Sequence, residues 1–103
     1  MTRLLDDEEV ARQLRDLTGW TADGGQLRAS YQAPDFMTGV RLIDVVAAEA
    51  EAMDHHPDID VRWRTVTFCC STHSVGGVTQ LDIELAHRIS EWAGRLAAHV
   101  APR

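Results

Sequence analysis

The sequence predicts one α+β domain in which helices pack on one face of a four-stranded antiparallel sheet. Apolar residues recur at helical spacing in three segments of the chain. Between the first and second of these segments, and again between the second and third, apolar and polar residues alternate in pairs of short stretches separated by turn residues. A chain of 103 residues is long enough for one core only. The predicted order of elements is therefore αββαββα, which is typical of a two-layer domain.

The first helix and the first hairpin open the chain. Acidic residues crowd the first turn of a helix from Asp6 to Leu17, where the helix dipole favours them, and Gly19 follows as a stop. The apolar stripe of this helix is predicted to be Val10, Leu14 and Leu17. Because Asp23-Gly24-Gly25 is typical of a tight turn, we expect one strand from Trp20 to Ala22 and another from Leu27 to Ala33.

The second helix and the second hairpin come next. Pro34-Asp35 opens the helix, and Pro57 forbids its continuation, so that it ends at a histidine pair. Its predicted apolar stripe is Phe36, Val40, Ile43, Ala47, Ala50 and Met53. Alternation then predicts two strands that turn near Arg64. Their apolar positions are Ile59, Val61 and Trp63, followed by Val66, Phe68 and Cys70.

A third helix is predicted to close the domain. Gly76-Gly77 breaks the preceding strand, and Thr79 with Asp82 three residues later resembles a capping box. The buried stripe of this helix is predicted as Leu85, Ile89, Trp92 and Leu96. If side chains continue to alternate between the two faces of the sheet as far as His73, its imidazole lies on the same face as Thr67, Cys69 and Ser71.

Composition excludes several classes of function. The chain has 16 acidic and 10 basic residues and a net charge of -6, and every basic residue is arginine, which excludes Schiff-base lysines and the lysine of a phosphate-binding loop. The acidic balance disfavours general nucleic-acid binding, which needs clustered positive charge. No apolar run approaches the roughly 18 residues that span a bilayer, and the start of the chain lacks a secretion signal. We therefore expect no membrane association and a cytoplasmic location.

Three histidines stand out by their position. His55 and His56 follow the second helix, and His73 ends a strand, whereas His87 and His99 are predicted to be solvated residues of the last helix. Capping of the second helix is one explanation for the pair, since imidazolium favours the negative end of the helix dipole. General acid–base chemistry is another, since a carboxylate one helical turn earlier, that of Glu51, can reach an imidazole and fix its tautomer.

A metal site is disfavoured on spacing. Adjacent histidines such as His55 and His56 point apart on a regular backbone, and the chain has no H-x-x-x-H or C-x-x-C pattern. The adjacent cysteines, Cys69 and Cys70, fit neither a disulfide-stapled scaffold nor a zinc ribbon and are consistent with a reducing compartment. We therefore expect no metal site.

The residues with this chemistry also form a family pattern. Glu51-x-x-x-His55-His56-Pro57 is followed by Trp63, His73 and Asp82. This pattern resembles that of the pterin-4a-carbinolamine dehydratases, and the likeness extends loosely over nearly the whole chain. The resemblance implies a lyase that dehydrates 4a-hydroxytetrahydropterin to quinonoid dihydropterin during tetrahydropterin recycling. It also implies that the reaction uses no cofactor and no metal.

The resemblance also implies roles for individual residues. His55 and His73 become the acid–base pair, with His56 assisting, and Glu51 orients His55. The backbone around the histidines holds the pterin, so that the implied binding set is His55, His56, Pro57, Thr72, His73, Ser74, Val75 and Trp20.

The residues themselves favour a structural explanation, or allow one, at four positions in or near this pattern. Trp20 either flanks the pterin ring or packs in the core, and Trp63 is assigned to the core because it shares strand parity with Val61. Asp82 suits helix capping better than catalysis. Cys69 is expected to be a buried spectator thiol, since no cation is evident beside it.

Partners are implied by the same resemblance. Members of the family form dimers or dimers of dimers, and an exposed sheet edge suits such a contact, so we expect a homodimer or homotetramer. A functional link to an aromatic amino-acid hydroxylase is also implied. The alternative function is a pterin-binding or protein-partner module of the same fold, like the animal members that act as coactivators of a homeodomain transcription factor, or a chaperone-like protein.

Overall fold

Three helices and five strands follow one another along residues 2–102, the part of the chain that this computed structural model describes. The elements are α1 (Asp7–Leu14), β1 (Thr21–Asp23), β2 (Gln26–Gln32), α2 (Phe36–Met53), β3 (Asp58–Arg62), β4 (Thr65–Cys70), α3 (Gln80–Arg95) and β5 (His99–Val100). The predicted order αββαββα is confirmed, and β5 is an additional short strand.

The strands form one antiparallel sheet in the order β1-β2-β4-β3. In its centre, β2 pairs with β4 from Leu27 opposite Cys70 to Gln32 opposite Thr65. The added strand β5 pairs with the end of β2. The sheet therefore has five strands, and β3 lies at its edge.

The core lies between one face of this sheet and the helices. Alternate residues of β2 and β4 face this core and are buried: Leu27, Ala29 and Tyr31 in β2, and Val66, Phe68 and Cys70 in β4. Thr67, on the other face of β4, is buried as well. The core-facing residues belong to one cluster with Leu42 and Val46 of α2 and with Ile83, Leu85 and Ile89 of α3. Each large apolar side chain buried here contributes roughly 1.5–3 kcal/mol. The intervening residues of β2 and β4 point to the other face, which the helices leave uncovered.

The buried stripe of α2 differs from the predicted one. Asp35 caps the helix by accepting from the backbone N–H of Thr38, as its position predicts. The buried residues are Gly39, Leu42, Val46 and Ala50, whereas Phe36 is 49% exposed and Ala47 is exposed. Three of the four lie one position before a residue of the predicted stripe. Because apolar residues surround most of this helix, the sequence alone does not single out one row.

The prediction that Trp63 packs in the core is wrong. Strand β3 ends at Arg62, and Trp63 lies in the following turn with a positive φ of 52° and a side chain that is 73% exposed. Side chains alternate between the two faces of a sheet only within a strand. Because β3 ends at Arg62, Trp63 does not lie on the same face as Val61. The first and last helices are also shorter than predicted: α1 ends at Leu14, and His99 belongs to β5.

Candidate active site

A buried hydrogen bond joins the end of α2 to the start of α3. Nε2 of His55 lies 2.6 Å from Oδ1 of Asp82, and the two side chains are 10% and 0% exposed. Burial of a carboxylate is unfavourable unless it is paired and hydrogen-bonded, so this contact fixes the position of both groups. The two residues come from different helices, and the fold brings them together.

Local structure at each end positions this pair. Helix α2 ends at Met53, and Asp54 adopts a left-handed conformation with φ of 49°, after which the backbone N–H of His55 donates to the carbonyl of Ala50. This C-terminal turn places the imidazole against Asp82 of α3. At the other end, Thr79 and Asp82 form the predicted capping box of α3.

A chain of hydrogen bonds surrounds the Asp82 carboxylate. Its Oδ2 accepts from the backbone N–H of Thr79 at 2.9 Å and from the hydroxyl of Thr72 at 2.7 Å. Thr72 Oγ1 also lies 2.8 Å from Thr79 Oγ1, which accepts from the backbone N–H of Leu81. With the Thr72 proton directed at Asp82, the Thr79 hydroxyl donates to Thr72, and every donor in the chain has one acceptor.

This network fixes the tautomer of His55. An ionised carboxylate only accepts hydrogen bonds, so Nε2 of His55 has to bear the proton that it donates to Asp82. Nδ1 forms no hydrogen bond within residues 2–102 and, in the neutral ring, holds a lone pair. The arrangement presents a proton acceptor that is oriented by a buried acid.

The charge of Asp82 also acts on the neighbouring core thiol. Burial raises the pKa of Cys70, and the nearby carboxylate of Asp82 raises that pKa further. Cys70 therefore stays a neutral thiol at the base of the site.

The second histidine has its own carboxylate. Nε2 of His56 is hydrogen-bonded to Oε2 of Glu51. The expectation that Glu51 orients His55 is therefore wrong: the left-handed turn at Asp54 interrupts the helical spacing between Glu51 and His55, and His55 turns to Asp82 instead. The side chains of His56 and Glu51 are 55% and 76% exposed, so this pair lies at the surface.

His73 lies in a tight turn beside the same network. Thr72, which donates to Asp82, also pairs with Gly77, and its carbonyl accepts from the backbone N–H groups of Val75 and Gly76. His73 and Ser74 are exposed at the tip of this turn, and their backbone N–H groups form no hydrogen bond within residues 2–102. The strand thus ends at Cys70, and the turn, not strand parity, sets the direction of His73.

Trp20 is packed in the core. It is 5% exposed, its ring contacts Tyr31 edge to face, and its indole N–H donates to the Tyr31 hydroxyl at 2.9 Å. Of the two alternatives for Trp20, core packing is the one observed, and no open face is left for a bound ring. Pro57 is half-buried and leads directly from the histidine pair into β3.

Cys69 is half-buried on the uncovered face of the sheet. A guanidinium nitrogen of Arg28 lies 3.7 Å from its sulfur, so the expectation that no cation stands beside this thiol is wrong. The cation comes from β2, where Arg28 is paired with Cys69 across the strands.

In the range of residues 2–102, no group of three or more His, Cys, Asp or Glu side chains is arranged to hold a metal ion. Nor does any helix within it combine the length and the apolar character needed to cross a bilayer.

A surface concavity of about 500 Å³ borders Gly77, at the end of the turn that carries His73. It lies between α1 and the turn from β1 to β2, and its lining includes Leu5, Val10 and Leu14. That lining has no histidine, so the groups suited to proton transfer near neutral pH lie outside it. The candidate active site is therefore assigned to the histidine network.

Comparison with known proteins identifies the family. The model of the family described as pterin 4 alpha carbinolamine dehydratase matches residues 3–92. A protein of Nocardia farcinica, provisionally named a pterin-4-alpha-carbinolamine dehydratase, is 52% identical over 92 residues, which are 89% of this chain and 97% of that protein.

Two solved structures share the fold. A transcriptional coactivator/pterin dehydratase from Brucella melitensis superposes with a TM-score of 0.87 at 33% identity, covering 89% of this chain and all of that one. A pterin dehydratase-like protein, described as a RuBisCO assembly factor in the alpha-carboxysome, has a TM-score of 0.60 at 18% identity over 73% of this chain and 87% of that one, a similarity of fold alone. By its match to the family model and to these relatives, the chain belongs to the pterin 4 alpha carbinolamine dehydratase family.

Proposed function

We propose that this protein is a lyase that dehydrates 4a-hydroxytetrahydropterin to quinonoid dihydropterin by histidine general acid–base catalysis. Membership of the family supports the reaction class. The single observation that carries the proposal is the hydrogen bond between the buried His55 and the buried Asp82. It gives the chain a preoriented imidazole, which is followed in the chain by His56 and whose partner Asp82 also binds Thr72, the residue before His73.

The reaction requires two proton transfers and no redox step. The C4a–O bond breaks as the hydroxyl leaves as water, and for this the oxygen has to gain a proton. The nitrogen N5 forms the new double bond to C4a with its lone electron pair, and N5 gives up its proton to a base. Histidine suits both roles, because its pKa lies near neutrality.

The tautomer of His55 favours the role of base. Nδ1 of His55 is free to accept the N5 proton, and Asp82 stabilises the imidazolium that forms. His73, at the tip of the turn that follows Thr72, is proposed to donate to the leaving hydroxyl. The surface pair of His56 and Glu51 is proposed to assist by exchanging protons with solvent.

Backbone groups are proposed to hold the pterin. The free N–H groups of His73 and Ser74 can donate to the ring, and the segments from His55 to Pro57 and from Thr72 to Val75 border the histidines. The physiological setting proposed is tetrahydropterin recycling in the cytoplasm, with a functional link to an aromatic amino-acid hydroxylase and with the protein acting as a homo-oligomer.

The alternative function is a pterin-binding or protein-partner module without significant turnover. The name of the Brucella melitensis protein, which includes transcriptional coactivator, is the observation that favours it. The two functions differ in one measurable quantity, the rate of dehydration.

The test is the rate of 4a-hydroxytetrahydropterin dehydration, followed by the ultraviolet change as quinonoid dihydropterin forms. We expect His55→Ala and His73→Ala each to lower the rate by about 10²- to 10⁴-fold, the usual contribution of a general acid or base. His87→Ala, at an exposed histidine of α3, is the matched control and should keep the full rate. An unaltered chain that is no faster than buffer would refute the lyase proposal, and pterin binding without turnover would support the alternative.

A further inference from the structure

A single threonine connects the two halves of the candidate active site. Thr72 is 6% exposed and directly precedes His73 in the chain. Its hydroxyl donates to Oδ2 of Asp82 at 2.7 Å, and Oδ1 of the same carboxylate lies 2.6 Å from Nε2 of His55. Along the chain, the whole hairpin of β3 and β4 separates the two histidines. Through two hydrogen bonds, Thr72 links the turn that carries His73 to the ring of His55.

The backbone of Thr72 forms the base of that turn. Its N–H donates to the carbonyl of Gly77 at 2.8 Å, and its carbonyl accepts from the N–H of Gly76 at 2.9 Å. These bonds close the turn from residue 72 to residue 77, so the position of His73 depends on that of Thr72. Because the Thr72 hydroxyl is bound to Asp82, the turn is also fixed relative to the start of α3.

The Thr72 hydroxyl has all its partners inside the protein. It donates to Asp82 and accepts from the Thr79 hydroxyl, whose oxygen lies 2.8 Å away. Because the side chain is buried and bonded on both sides, a ligand at the surface of the turn meets backbone groups and not this hydroxyl. The hydroxyl therefore acts on bound substrate only through the groups that it holds.

The helix cap formed by Asp82 does not depend on this hydroxyl. Oδ2 of Asp82 also accepts from the backbone N–H of Thr79 at 2.9 Å, and that bond belongs to the capping box of α3. Loss of the Thr72 hydroxyl leaves the cap in place and removes one of the bonds that hold the carboxylate beside His55. Hydrogen bonds to a charged group are stronger than those between neutral groups, so the carboxylate is then held appreciably less firmly.

From these contacts we infer that Thr72 is a positioning residue, whose side-chain hydroxyl holds His55 and the turn of His73 in one relative arrangement. This role rests on the proposed function, in which His55 is the base and His73 the acid of one dehydration. Each proton transfer requires its two atoms to lie within hydrogen-bond reach, so an acid and a base that serve one substrate have to keep their spacing. The hydroxyl supplies that constraint without contact to the substrate.

The kinetic test compares two substitutions of Thr72. Thr72→Val keeps the shape of the side chain and removes the hydroxyl, and we expect kcat for 4a-hydroxytetrahydropterin to fall by about 10- to 100-fold. KM should change by less than about twofold, because the backbone N–H groups of the turn remain. Thr72→Ser keeps the hydroxyl and should restore kcat to within about threefold of the unaltered chain. A raised KM with unchanged kcat would overturn the inference, since the threonine would then contact the substrate.

A double-mutant cycle tests whether the hydroxyl acts through the histidine. In a chain that already carries His55→Ala, Thr72→Val should lower kcat by no more than about twofold, because the imidazole that the hydroxyl positions is absent. An equally large loss of kcat with and without His55 would overturn the inference.

Thr67→Val is the matched control. Thr67 is 7% exposed, and its hydroxyl lies 2.7 Å from that of Ser30 on the uncovered face of the sheet. The same substitution there removes a buried hydroxyl with a hydroxyl partner, away from Asp82, and should leave kcat unchanged. A loss of kcat as large as that of Thr72→Val would mean that lost stability lowers the rate. Circular dichroism checks that each variant is folded, and Thr72→Ala replaces Thr72→Val if the valine variant is not.

A second measurement does not depend on turnover. The buried Nε2 proton of His55 should give a downfield proton NMR signal that is absent from His55→Ala. We expect this proton to exchange with water at least about tenfold faster in Thr72→Val than in the unaltered chain, and at an unchanged rate in Thr72→Ser. The same exchange rate in all three chains, or no such signal in the unaltered chain, would overturn the inference. An unaltered chain that shows this exchange pattern without dehydration would refute the lyase proposal alone and leave the hold of Thr72 on His55 supported.

Discussion

Nε2 of His55 and Oδ1 of Asp82 lie 2.6 Å apart, although the two residues are 27 positions apart in the chain. Asp82 is at once the third residue of α3, where it completes a capping box, and the hydrogen-bond partner of the histidine. One buried carboxylate therefore stabilises the start of a helix and sets the tautomer of an imidazole. These two roles can be separated by mutation.

Asp82→Asn should lower the rate of dehydration far more than it lowers stability. The amide oxygen can still accept from Thr79 and Thr72, but the amide nitrogen then faces His55 and donates to it, which moves the ring proton to Nδ1 and removes the free lone pair. We expect the turnover rate to fall by about 10²- to 10⁴-fold. The measurement is kcat across pH, together with the thermal midpoint.

The matched control for this prediction is Asp6→Ala. Asp6 forms a capping box of the same kind at the start of α1, away from the histidines. The substitution should lower the free energy of unfolding by about 1 kcal/mol and leave kcat unchanged. An Asp82→Asn variant with unaltered kcat would show that Asp82 acts only as a cap.

Glu51→Gln should have a much smaller effect. The Glu51 carboxylate is 76% exposed where it meets His56, so solvent screens the pair, and such surface pairs contribute about 0–1 kcal/mol. We expect kcat to fall by at most about fivefold, in line with that range. The measurement is kcat of Glu51→Gln and Asp82→Asn under the same conditions. An equal loss of kcat in both variants would contradict the prediction, because the surface carboxylate would then contribute as much as the buried one.

The sequence predicts what is local and misses what depends on distant contacts. Periodicity, caps and turn residues lie within a few positions of one another, so the three helices and four of the strands follow from the sequence. The pairing of Asp82 with His55 has no local signal, because only the packing of α3 against the end of α2 creates it. Strand β5 is two residues long and exists through its pairing with β2.

Two residues with positive φ explain why Glu51 and Trp63 differ from the sequence prediction. The sequence places Glu51 four positions before His55, which in a continuous helix would bring them together. The left-handed residue Asp54 ends that relationship and leaves Glu51 with His56. At Trp63 a positive φ ends the strand in the same way, and a residue that parity assigns to the core lies at the surface.

Trp20→Phe should destabilise the fold without changing the affinity for pterin. The substitution removes indole atoms from the core and deletes the hydrogen bond to the Tyr31 hydroxyl, which together cost roughly 1–3 kcal/mol. Urea unfolding measures the first effect, and KM for the pterin measures the second. Trp63→Phe, at an exposed indole, is the control and should change the free energy of unfolding little. A raised KM with unchanged stability would instead support contact between Trp20 and the substrate.

Helices α2 and α3 are joined by Glu49, which accepts hydrogen bonds from the indole N–H of Trp92 and from Arg88, each at 2.9 Å. These bonds, that of Trp92 first, lower the pKa of Glu49 below its usual 4.5. A carboxylate with a lowered pKa stabilises the folded state above pH 4.5, and this contribution disappears as the pH falls through the folded-state pKa.

Glu49→Gln should therefore reduce the free energy of unfolding by about 1 kcal/mol at pH 7, since the pair is partly exposed, and by progressively less below the usual pKa of a glutamate. Urea unfolding at a series of pH values between neutrality and the acid limit measures this difference. Glu91→Gln, which alters an exposed pair within α3, is the control and should change stability little at any pH. A difference for Glu49→Gln that is constant across the series would mean that the ionised carboxylate contributes nothing to the contact between the helices.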